Sequence, residues 1–267
     1  MKTILITGST DGIGLATATE LARQGHEVVV HGRNDEKVAR ACAAIRAAVP
    51  GATLHKACAD LADLAAVARM ARELSTRLRR LDVLINNAGV YMSERKSSHD
   101  GFEMTLAVNY VAPFLLTNLL LPLLKKSDAP RVVTVSSTVH SSGRIEFDNL
   151  NGELKFNGYH AYSNSKLADA LFANELARRE PWLTSNSLHP GVIGTKLLRL
   201  AFSGQGDAVD SGARTSVYLA TSPEVDKVTG KYFDNCVAVP PAAQVLDQEL
   251  ARRLWEWTEV AVQKYAG

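Results

Sequence analysis

Residues 7–14 of the chain read TGSTDGIG, and this glycine-rich stretch lies between an apolar run and a helical pattern. In its GxxxGxG spacing, Gly8 allows a tight turn, Gly12 lets the backbone approach a ligand, and Gly14 lets the helix pack on the preceding strand. The free N–H groups and the positive dipole end at the start of such a helix favour phosphate. The stretch therefore predicts the pyrophosphate site of a dinucleotide, and a glycine-rich turn without a ligand is the alternative interpretation.

Short apolar runs alternate with longer helical patterns along the whole chain. The predicted strands are 3–7, 27–31, 53–57, 83–86, 131–136 and 185–189, with a late one near 231–233. The predicted helices begin near Ile13, Asp35, Leu61, Gly101, Ala161 and Asp210. Continuous apolar strands separated by helices indicate a doubly wound α/β fold of the Rossmann type, with a parallel sheet buried on both faces. Because no linker or repeat interrupts the pattern, we expect one domain over residues 1–267.

The composition is that of an ordinary globular protein, with 46% hydrophobic residues and a formal net charge of only +2. No basic stripe is visible that could neutralise phosphates, so we expect no nucleic-acid partner. The three cysteines, Cys42, Cys58 and Cys236, lack metal-ligand spacing, and we expect neither a metal site nor disulfides. The apolar stretch 114–124 is too short to span a bilayer, and no leader precedes the first strand. We therefore expect a cytoplasmic protein without a membrane anchor.

The second predicted strand ends in VVVHGR, residues 28–33, where the adenosine ribose of a dinucleotide would be read. An acidic residue at this position selects NAD, but the first carboxylate is Asp35, which we expect in the cap or first turn of the next helix. Arg33 carries instead a guanidinium, which binds a 2′-phosphate bidentately. The sequence therefore predicts NADP(H) as the cofactor, and a solvated surface arginine is the alternative.

Tyr162 and Lys166 are four residues apart in the helical stretch AYSNSKLADALFANELA and so share one face of a helix. A phenol has a pKa of about 10, which is too high for efficient proton transfer at neutral pH, and a neighbouring ammonium lowers it. The pair can therefore protonate a carbonyl oxygen while hydride arrives at the carbon. Because this spacing is common, a helix-surface pair without a function is the alternative.

Further polar residues lie at or near the predicted carboxyl edge of the same sheet. They are Asn86, Asn87, Ala88 and Gly89 after one strand, Ser136 and Ser137 after the next, and Pro190, Gly191 and Thr195 after a third. Asn109 lies in an otherwise apolar helix, where a buried amide needs hydrogen-bond partners. Open α/β sheets bind ligands at this edge, so we expect these residues to meet there.

Two long, turn-rich segments, 138–160 and 196–210, also follow predicted strand ends. Loops of this length in a compact domain are typical of lids or binding loops, and we expect them to form the substrate pocket. Their apolar residues are Phe147, Leu150, Phe156, Leu197, Leu198, Leu200 and Phe202. They favour a medium-sized apolar aldehyde, ketone or secondary alcohol as the substrate.

The motifs together resemble those of the short-chain dehydrogenase/reductase (SDR) family. They are TGSTDGIG (7–14), NNAG (86–89), Asn109, Ser137, YSNSK (162–166) and PGVIGT (190–195), in the family's order. Within the family the chain is most similar to the retinol dehydrogenase-like branch, which includes related carbonyl reductases. The features that carry this similarity are HGRN, SSTVHSSGRIEFDNLN, HPGVIGT, GKYFDN and RLWEWT. Most family members have far fewer than the 24 residues that separate Ser137 from Tyr162 here.

The resemblance implies an NADP(H)-dependent oxidoreductase whose catalytic residues are Ser137, Tyr162, Lys166 and Asn109. Tyr162 would be the general acid in reduction, and Lys166 would lower its pKa and hold the nicotinamide ribose. Ser137 would bind the reacting oxygen, and Asn109 would help to hold a water in a relay through Lys166. The other residues implied along the cofactor are Gly8, Ser9, Thr10, Asp11, Gly12, Ile13, Gly14, Arg33, Asn34, Asp60, Leu61, Asn87, Ala88, Gly89, Pro190, Gly191, Val192 and Thr195.

Residues 115–124 are apolar almost all round their predicted helix, which indicates burial on two sides. Related proteins often dimerise through this helix and the one that bears the tyrosine, so the resemblance implies a homodimer or homotetramer. The alternative function is a catalytically weak NADP(H)-binding regulator, which would typically have lost the tyrosine or the lysine. A sugar-nucleotide epimerase would have a GxxGxxG turn, and a membrane-bound retinoid enzyme would have a hydrophobic anchor before residue 3; neither feature is found.

Overall fold

One eight-stranded sheet forms the centre of the computed structural model, which describes residues 1–201 and 206–265. The strands are β1 (Thr3–Ile6), β2 (Glu27–Gly32), β3 (Leu54–Cys58), β4 (Val83–Asn86), β5 (Arg131–Val135), β6 (Thr184–His189), β7 (Tyr232–Asp234) and β8 (Val237–Val239). Their order is β3-β2-β1-β4-β5-β6-β7-β8, and all neighbours are parallel except the antiparallel pair β7 and β8. The predicted doubly wound fold is confirmed.

The sequence pattern does not predict β8, which follows β7 through a two-residue turn. Asn235 and Cys236 in this turn have φ angles of 46° and 65°. Positive φ at both central positions is typical of a hairpin turn in which Asn-Gly is the usual pair. A three-residue strand after a turn without glycine leaves too little periodicity to be recognised from the sequence alone.

Helices cover both faces of the sheet. They are α1 (Gly12–Arg23), α2 (Asp35–Ala48), α3 (Leu64–Arg77), α4 (Met104–Leu106), α5 (Ala112–Leu124), α6 (Gly158–Arg179), α7 (Lys196–Ala201), α8 (Val209–Thr221) and α9 (Gln248–Val262). Helices α1, α2 and α8 pack on one face, and α3, α5, α6 and α9 pack on the other. In β1, Ile4 and Ile6 belong to the core on the face covered by α1, α2 and α8. Leu5 belongs to the core on the opposite face. Burial on both faces is the reason that the strands read as continuous apolar runs.

The two predicted substrate loops contain more regular structure than expected. Residues 138–160 include 3₁₀ turns at Thr138–Ser142 and Phe147–Asn149, and residues 196–210 begin with α7. The α7 sequence, KLLRLA, consists of residues with high helix propensity, which explains why it does not form a loop. Phe202 and Gly204 of the predicted loop lie outside the described residues.

Helices α4 and α5 are joined by a π-helical turn, Ala107–Val111, into one helical segment, Met104–Leu124. By length and composition this 21-residue segment could cross a membrane, and it is longer than the apolar stretch 114–124 that the sequence shows most clearly. Within the described structure, 78% of its apolar window is buried inside the molecule. Packing against other elements on more than one side accounts for its apolar character.

Helix α9 packs on α6 and places Trp255 against Phe172 of α6 and Phe114 of α5. The Trp255 ring is stacked on Phe172, with ring centroids 5.7 Å apart, and lies edge-on to Phe114 at 4.7 Å. Aromatic pairs of this kind bury a large apolar area. The chain thus covers part of the α5 and α6 surface with its own α9, and the homodimer or homotetramer through these helices stays a prediction.

The strand order places a crevice at the carboxyl ends of β1 and β4. From β1, the chain builds β2 and β3 on one side of the sheet and β4 to β7 on the other. The crossovers that leave β1 and β4 therefore run to opposite faces, and ligands of open α/β sheets bind where this change of direction occurs. The glycine-rich turn at residues 7–14 follows β1, and Asn87 follows β4, so the topology brings both to this crevice.

Candidate active site

A cleft of about 1000 Å³ opens at this edge of the sheet. Most of the predicted site residues line it: Gly8, Thr10, Ile13, Gly14, Arg33, Asp60, Leu61, Asn87, Ala88, Gly89, Ser137, Tyr162, Lys166, Pro190, Gly191, Val192 and Thr195. The predicted residues outside its wall are Ser9, Asp11, Gly12, Asn34 and Asn109. Predicted site residues from both halves of the chain therefore lie together at one edge of the sheet.

The predicted residues outside the cleft wall have local structural partners. Ser9 is buried and donates a hydrogen bond within its own turn. Asp11 caps α1 and forms an exposed ion pair with Lys196 at 2.6 Å, and Asn34 caps α2. Short polar side chains at helix starts satisfy backbone N–H groups that have no partner within the helix. Their roles in cofactor binding stay predictions.

Contacts from Asn87 hold the glycine-rich turn in place. Its side-chain amide donates to the carbonyl oxygens of Thr7 at 2.8 Å and Gly8 at 3.3 Å. Gly8 has a φ of 65°, a conformation that favours glycine. A Cβ atom on Gly14 would lie 2.3 Å from the Gly8 carbonyl oxygen, so α1 starts in direct contact with the turn. The first turn of α1 thus borders the cleft through Ile13 and Gly14, where its N–H groups suit a pyrophosphate.

His31, at the end of β2, is a second support of this turn. Its Nδ1 accepts from the Gly8 N–H at 3.0 Å, and its Nε2 is 3.2 Å from the Ala59 carbonyl oxygen. These two partners require the neutral ring with its proton on Nε2. Burial lowers the pKa of His31 to about 4, although the hydrogen bond to Ala59 opposes this shift. The glycine-rich turn therefore depends on a histidine that stays neutral.

We expect this histidine to make the protein less stable in mild acid. The unfolded chain binds a proton near pH 6.5, whereas folded His31 binds one only near pH 4, so stability falls as the pH falls through this window. Above the unfolded pKa the contribution is fully present, and between about pH 7 and about pH 5 the loss is about 2 kcal/mol. Urea unfolding at the two pH values measures it. His31→Asn does not titrate and keeps an acceptor for the Gly8 N–H, so it should lose about 2 kcal/mol less between the two pH values; an equal loss would contradict the assignment.

Arg33 lies at the cleft wall just after β2, beside the glycine-rich turn. A Cβ atom on Gly32 would lie 2.6 Å from the Thr10 side chain, so the end of β2 and the turn approach each other closely. Arg33 is exposed and forms no salt bridge to any described residue. Asp35 lies in the first turn of α2, as expected. A guanidinium at this place suits an anionic group on an adenosine ribose.

Tyr162 and Lys166 lie on the face of α6 that borders the cleft, and they are 7% and 4% exposed. Lys166 Nζ lies 5.7 Å from the centre of the Tyr162 ring and donates to the Val135 carbonyl oxygen at 2.9 Å. It also donates to Asp169 at 2.8 Å. The edge of the Tyr91 ring packs against Tyr162, with centroids 6.0 Å apart. Helix α6 and β5 thus fix the ammonium beside the phenol.

The surroundings shift the pKa values of this pair. Burial raises the pKa of Tyr162 and outweighs the opposite effect of the Lys166 ammonium. The lysine therefore lowers the phenol pKa as expected, but the net shift is upward because the phenolate is withdrawn from water. Burial lowers the pKa of Lys166, but the charges of Asp169 and Tyr162 raise it by more. Lys166 is thus a cation at neutral pH.

The two serines after β5 have different environments. Ser136 is buried, and its hydroxyl donates to the Lys166 carbonyl oxygen at 2.7 Å, which ties β5 to α6. Ser137 is less buried, lines the cleft and caps the following 3₁₀ turn, where its Oγ is 3.5 Å from the Val139 nitrogen. The Ser137 hydroxyl therefore remains the better candidate for contact with a reacting oxygen.

Asn109 lies in the π-helical turn and does not reach the cleft. Its Oδ1 accepts from the Val90 N–H at 2.8 Å, and its Nδ2 donates to the Val90 carbonyl oxygen and to Ser165, both at 3.0 Å. The side chain thus satisfies its buried amide by joining the loop after β4 to α6. A π-helical turn also interrupts the regular backbone hydrogen bonds of the helix and is frequent at functional sites. A role of Asn109 in a water relay stays a prediction.

The outer wall of the cleft differs from the predicted substrate pocket. Leu197 and Leu198 line it as predicted, but Phe147, Leu150, Phe156 and Leu200 do not. Phe147 and Leu150 pack against the core instead, where Phe147 also stacks with Arg253, and Leu200 is exposed. The segment 92–104 provides Met92 and Met104 in their place. These two residues lie between β4 and α5, outside the two long segments that were predicted to form the pocket.

Comparison with known proteins agrees with this geometry. The model of the family "short chain dehydrogenase" matches residues 2–205. The chain belongs to the short-chain dehydrogenase family. Human retinol dehydrogenase 14 is 41% identical over 289 residues, which cover 98% of this chain and 86% of that protein. The predicted membership of the retinol dehydrogenase-like branch is confirmed, and this short-chain dehydrogenase is an oxidoreductase.

Solved structures of similar proteins extend this result to the cofactor. An uncharacterized protein from Mycobacterium Paratuberculosis matches with a TM-score of 0.83 and 33% identity, over 98% of this chain and 94% of that one. A short-chain dehydrogenase from Escherichia coli CFT073, complexed with NADPH, matches with a TM-score of 0.73 and 29% identity, over 88% and 96% of the two chains. These matches, together with the donor set of the cleft, support a nicotinamide cofactor for this short-chain dehydrogenase.

Sequence reasoning missed two residues that the structure brings to the site. His31 supports the glycine-rich turn, and Asp169 contacts Lys166. Each had a signal: a histidine at the end of an apolar strand, and a carboxylate on the face of α6 that the apolar spacing predicts to be buried. Both signals are weak when the element that packs against the residue is unknown. A polar side chain at a strand end or on a buried helix face can equally find its hydrogen-bond partners in its own element.

Proposed function

We propose that the enzyme is an NADP(H)-dependent carbonyl reductase or alcohol dehydrogenase that uses Tyr162 and Lys166 with Ser137 and Asn109. The observation that carries the proposal is that the phenol and ammonium of α6 border the same cleft as the glycine-rich turn. The nicotinamide would supply or accept the hydride, and the protein would supply orientation and a proton.

Each of the four residues has a specific task in this proposal. Tyr162 gives its phenolic proton to the carbonyl oxygen in reduction and takes it back in oxidation. Lys166 keeps a positive charge beside the phenol and has an N–H left to hold the nicotinamide ribose. Ser137 donates its hydroxyl proton to the reacting oxygen, and Asn109 keeps the loop after β4 at the correct distance from α6. Tyr162 and Lys166 are 7% and 4% exposed, so bulk water has little access to the proton transfer.

The substrate class that the cleft supports is an apolar aldehyde, ketone or alcohol. Met92, Met104, Val139, Leu197 and Leu198 line the cleft together with Tyr162. Methionine side chains adapt their shape to apolar ligands. The similarity to retinol dehydrogenase 14 supports a substrate of this kind. Turnover of a panel of apolar carbonyls and alcohols with each of the four nicotinamide forms, followed by nicotinamide absorbance, tests the proposal. Binding of NADPH without turnover across the panel would favour the regulatory alternative.

Arg33 is expected to determine the preference for NADP(H). Arg33→Ala should weaken NADPH binding by about 10- to 100-fold, since a charge-assisted hydrogen bond contributes about 1.5–3 kcal/mol. Binding of NADH should change little, because NADH lacks the 2′-phosphate. Fluorescence titration with both nucleotides measures the two affinities. Arg46→Ala removes an exposed arginine from the last turn of α2 and serves as the control. Equal weakening for NADPH and NADH would show that Arg33 does not read the phosphate.

A further inference from the structure

Asp169 is a buried carboxylate on α6, in direct contact with the Lys166 ammonium. It lies three residues after Lys166, is 2% exposed, and accepts a hydrogen bond from Lys166 Nζ through Oδ2 at 2.8 Å. Its other oxygen, Oδ1, has no hydrogen-bond partner among the described residues. Burying a carboxylate with one oxygen unsatisfied is costly, and an apolar residue would avoid this cost. The position therefore indicates an electrostatic task.

We propose that Asp169 is a positioning residue: its carboxylate holds the Lys166 ammonium between α6 and β5 and sets the charge that Lys166 presents to Tyr162. This inference rests on the proposed roles of Tyr162 and Lys166 in proton transfer. It adds a fifth residue, which touches neither substrate nor cofactor and acts only through the lysine.

The geometry of Lys166 supports the positioning role. An ammonium has three N–H donors. Two of them are used by the Val135 carbonyl oxygen at 2.9 Å and by Asp169 at 2.8 Å. These two acceptors come from different elements and restrict a flexible side chain to one place. At this place Lys166 lines the cleft, and Nζ is 3.8 Å from where a Cβ atom on Gly89 would lie. One donor remains for a ribose hydroxyl.

The charge of Asp169 acts on both partners. Burial raises the pKa of Asp169 to about 6, and the Lys166 ammonium limits this rise. The carboxylate is therefore ionised at neutral pH and forms an ion pair with the lysine. Its negative charge also raises the pKa of Tyr162, in addition to the larger effect of burial. Removing the charge while keeping the shape should lower the pKa of Lys166, because Asp169 is the main influence that opposes its burial. The lysine is then neutral at the alkaline pH where the phenol titrates, and the pKa of Tyr162 should rise, because the effect of Lys166 on it is larger than that of Asp169.

Among the described residues, the charges that act on this pair are those of Lys166, Asp169 and Tyr162 themselves. Titratable and charged side chains on the neighbouring elements include Tyr91, Glu103, Tyr110, Arg131, His140 and His189. Burial raises the pKa of Tyr110, which is hydrogen-bonded to Thr258 at 2.7 Å. Burial lowers the pKa of His140 and of His189, so both are neutral. Glu103 caps α4, and Arg131 is paired with Asp226. Asp169 is therefore the carboxylate that compensates Lys166.

Ultraviolet titration of the Tyr162 phenol tests the proposal without any substrate. At each pH, the absorbance of Tyr162→Phe is subtracted from that of the wild type, which isolates the Tyr162 phenol. The absorbance of the double variant Tyr162→Phe/Asp169→Asn is subtracted from that of Asp169→Asn in the same way. Asparagine keeps an acceptor for Lys166 and removes the charge that keeps the buried ammonium protonated, so the Tyr162 titration should move up by about one pH unit. Glu175→Gln is the matched control, because Glu175 is buried on the same helix and pairs with Arg178 and Arg179. This control should leave the titration unchanged.

A second variant separates position from charge. Asp169→Ser removes both the charge and the carboxylate acceptor that fixes Lys166, so it should raise the Tyr162 titration and also weaken NADPH binding by about tenfold. Asp169→Asn should weaken NADPH binding much less. Thermal melting of each variant shows which ones are folded, and the serine variant provides the titration if the asparagine variant is unfolded. An unmoved or lowered Tyr162 titration in the folded variants, or an equal shift in Glu175→Gln, would overturn the proposal.

The same measurements distinguish this proposal from the proposed function. If the wild type turns over no carbonyl while Asp169→Asn still raises the Tyr162 titration, the reductase activity is wrong and the role of Asp169 stands. If the wild type is active and the titration does not move, Asp169 has no such role.

Discussion

Tyr162→Phe is expected to lower the turnover number by about 10²- to 10⁴-fold, the range that a positioned general acid contributes. The substitution removes one oxygen atom from a side chain that is only 7% exposed, and leaves the ring that packs on Tyr91. Hydride could still arrive at the carbon, but the oxygen would have to take its proton from a group without this position. The measurement is the steady-state rate with NADPH and the best carbonyl of the panel.

Cofactor binding should be almost unchanged in Tyr162→Phe, because Lys166 keeps its contacts with Val135 and Asp169. Tyr159→Phe provides the control: Tyr159 lies one turn earlier on α6 and is exposed at the surface. It should retain wild-type turnover. A Tyr162→Phe enzyme that keeps nearly full turnover would exclude the tyrosine as the proton donor.

Gly14→Ala is expected to weaken NADPH binding by about 100-fold, which corresponds to the loss of one or two charge-assisted hydrogen bonds to the phosphates. The new Cβ atom would lie 2.3 Å from the Gly8 carbonyl oxygen and 2.5 Å from Asn87 Nδ2. Both contacts are far inside van der Waals distance, and one is to backbone. The turn must therefore move away from α1 and lose the hydrogen bonds that Asn87 makes to it. Equilibrium titration with NADPH measures the effect.

Loss of stability alone could imitate this result, and Gly25→Ala separates the two effects. Gly25 follows the same helix with a φ of 80°, and a Cβ atom there would meet nothing within 4 Å. Alanine at this position costs about 1–2 kcal/mol of stability through its left-handed backbone. We expect Gly25→Ala to melt at a lower temperature and to bind NADPH normally. An unaltered NADPH affinity in Gly14→Ala would contradict the packing argument.

Much of the fold could be predicted because its signals are local. Each predicted strand lies within one or two residues of an observed one, and the helix starts differ by up to three residues. Strands buried on both faces give continuous apolar runs, and helix starts carry capping residues such as Asn34 and Asp63. The exceptions are β8 and α7, which are short, so neither periodicity nor length distinguishes them from loops. The start of α9 (Gln248–Val262) is also not among the predicted helix starts.

The candidate site also has features that the sequence predicts correctly and one that it does not. Its glycine-rich turn, Tyr162, Lys166 and Ser137 were predicted from spacing, and all of them border one cleft. The wall opposite them was predicted incorrectly, because Phe147 and Leu150 pack against the core while Met92 and Met104 reach the cleft. An apolar residue in a loop has two possible destinations, the pocket and the core. Sequence cannot choose between them, because both remove the side chain from water.

Three features follow from the amino-acid sequence alone: the alternation of strands and helices, the glycine-rich turn, and the placement of a phenol and an ammonium on one helical face. They depend on residues within a few positions of one another, where backbone geometry sets the distances. Two contacts could be seen only in the folded molecule: His31 supports the turn at Gly8, and β5 offers the Val135 carbonyl oxygen to Lys166. The folded molecule alone also shows that α9 covers part of α5 and α6 and that Asp169 is buried against the lysine. These features depend on which elements the crossovers bring together, and therefore on packing across the whole chain.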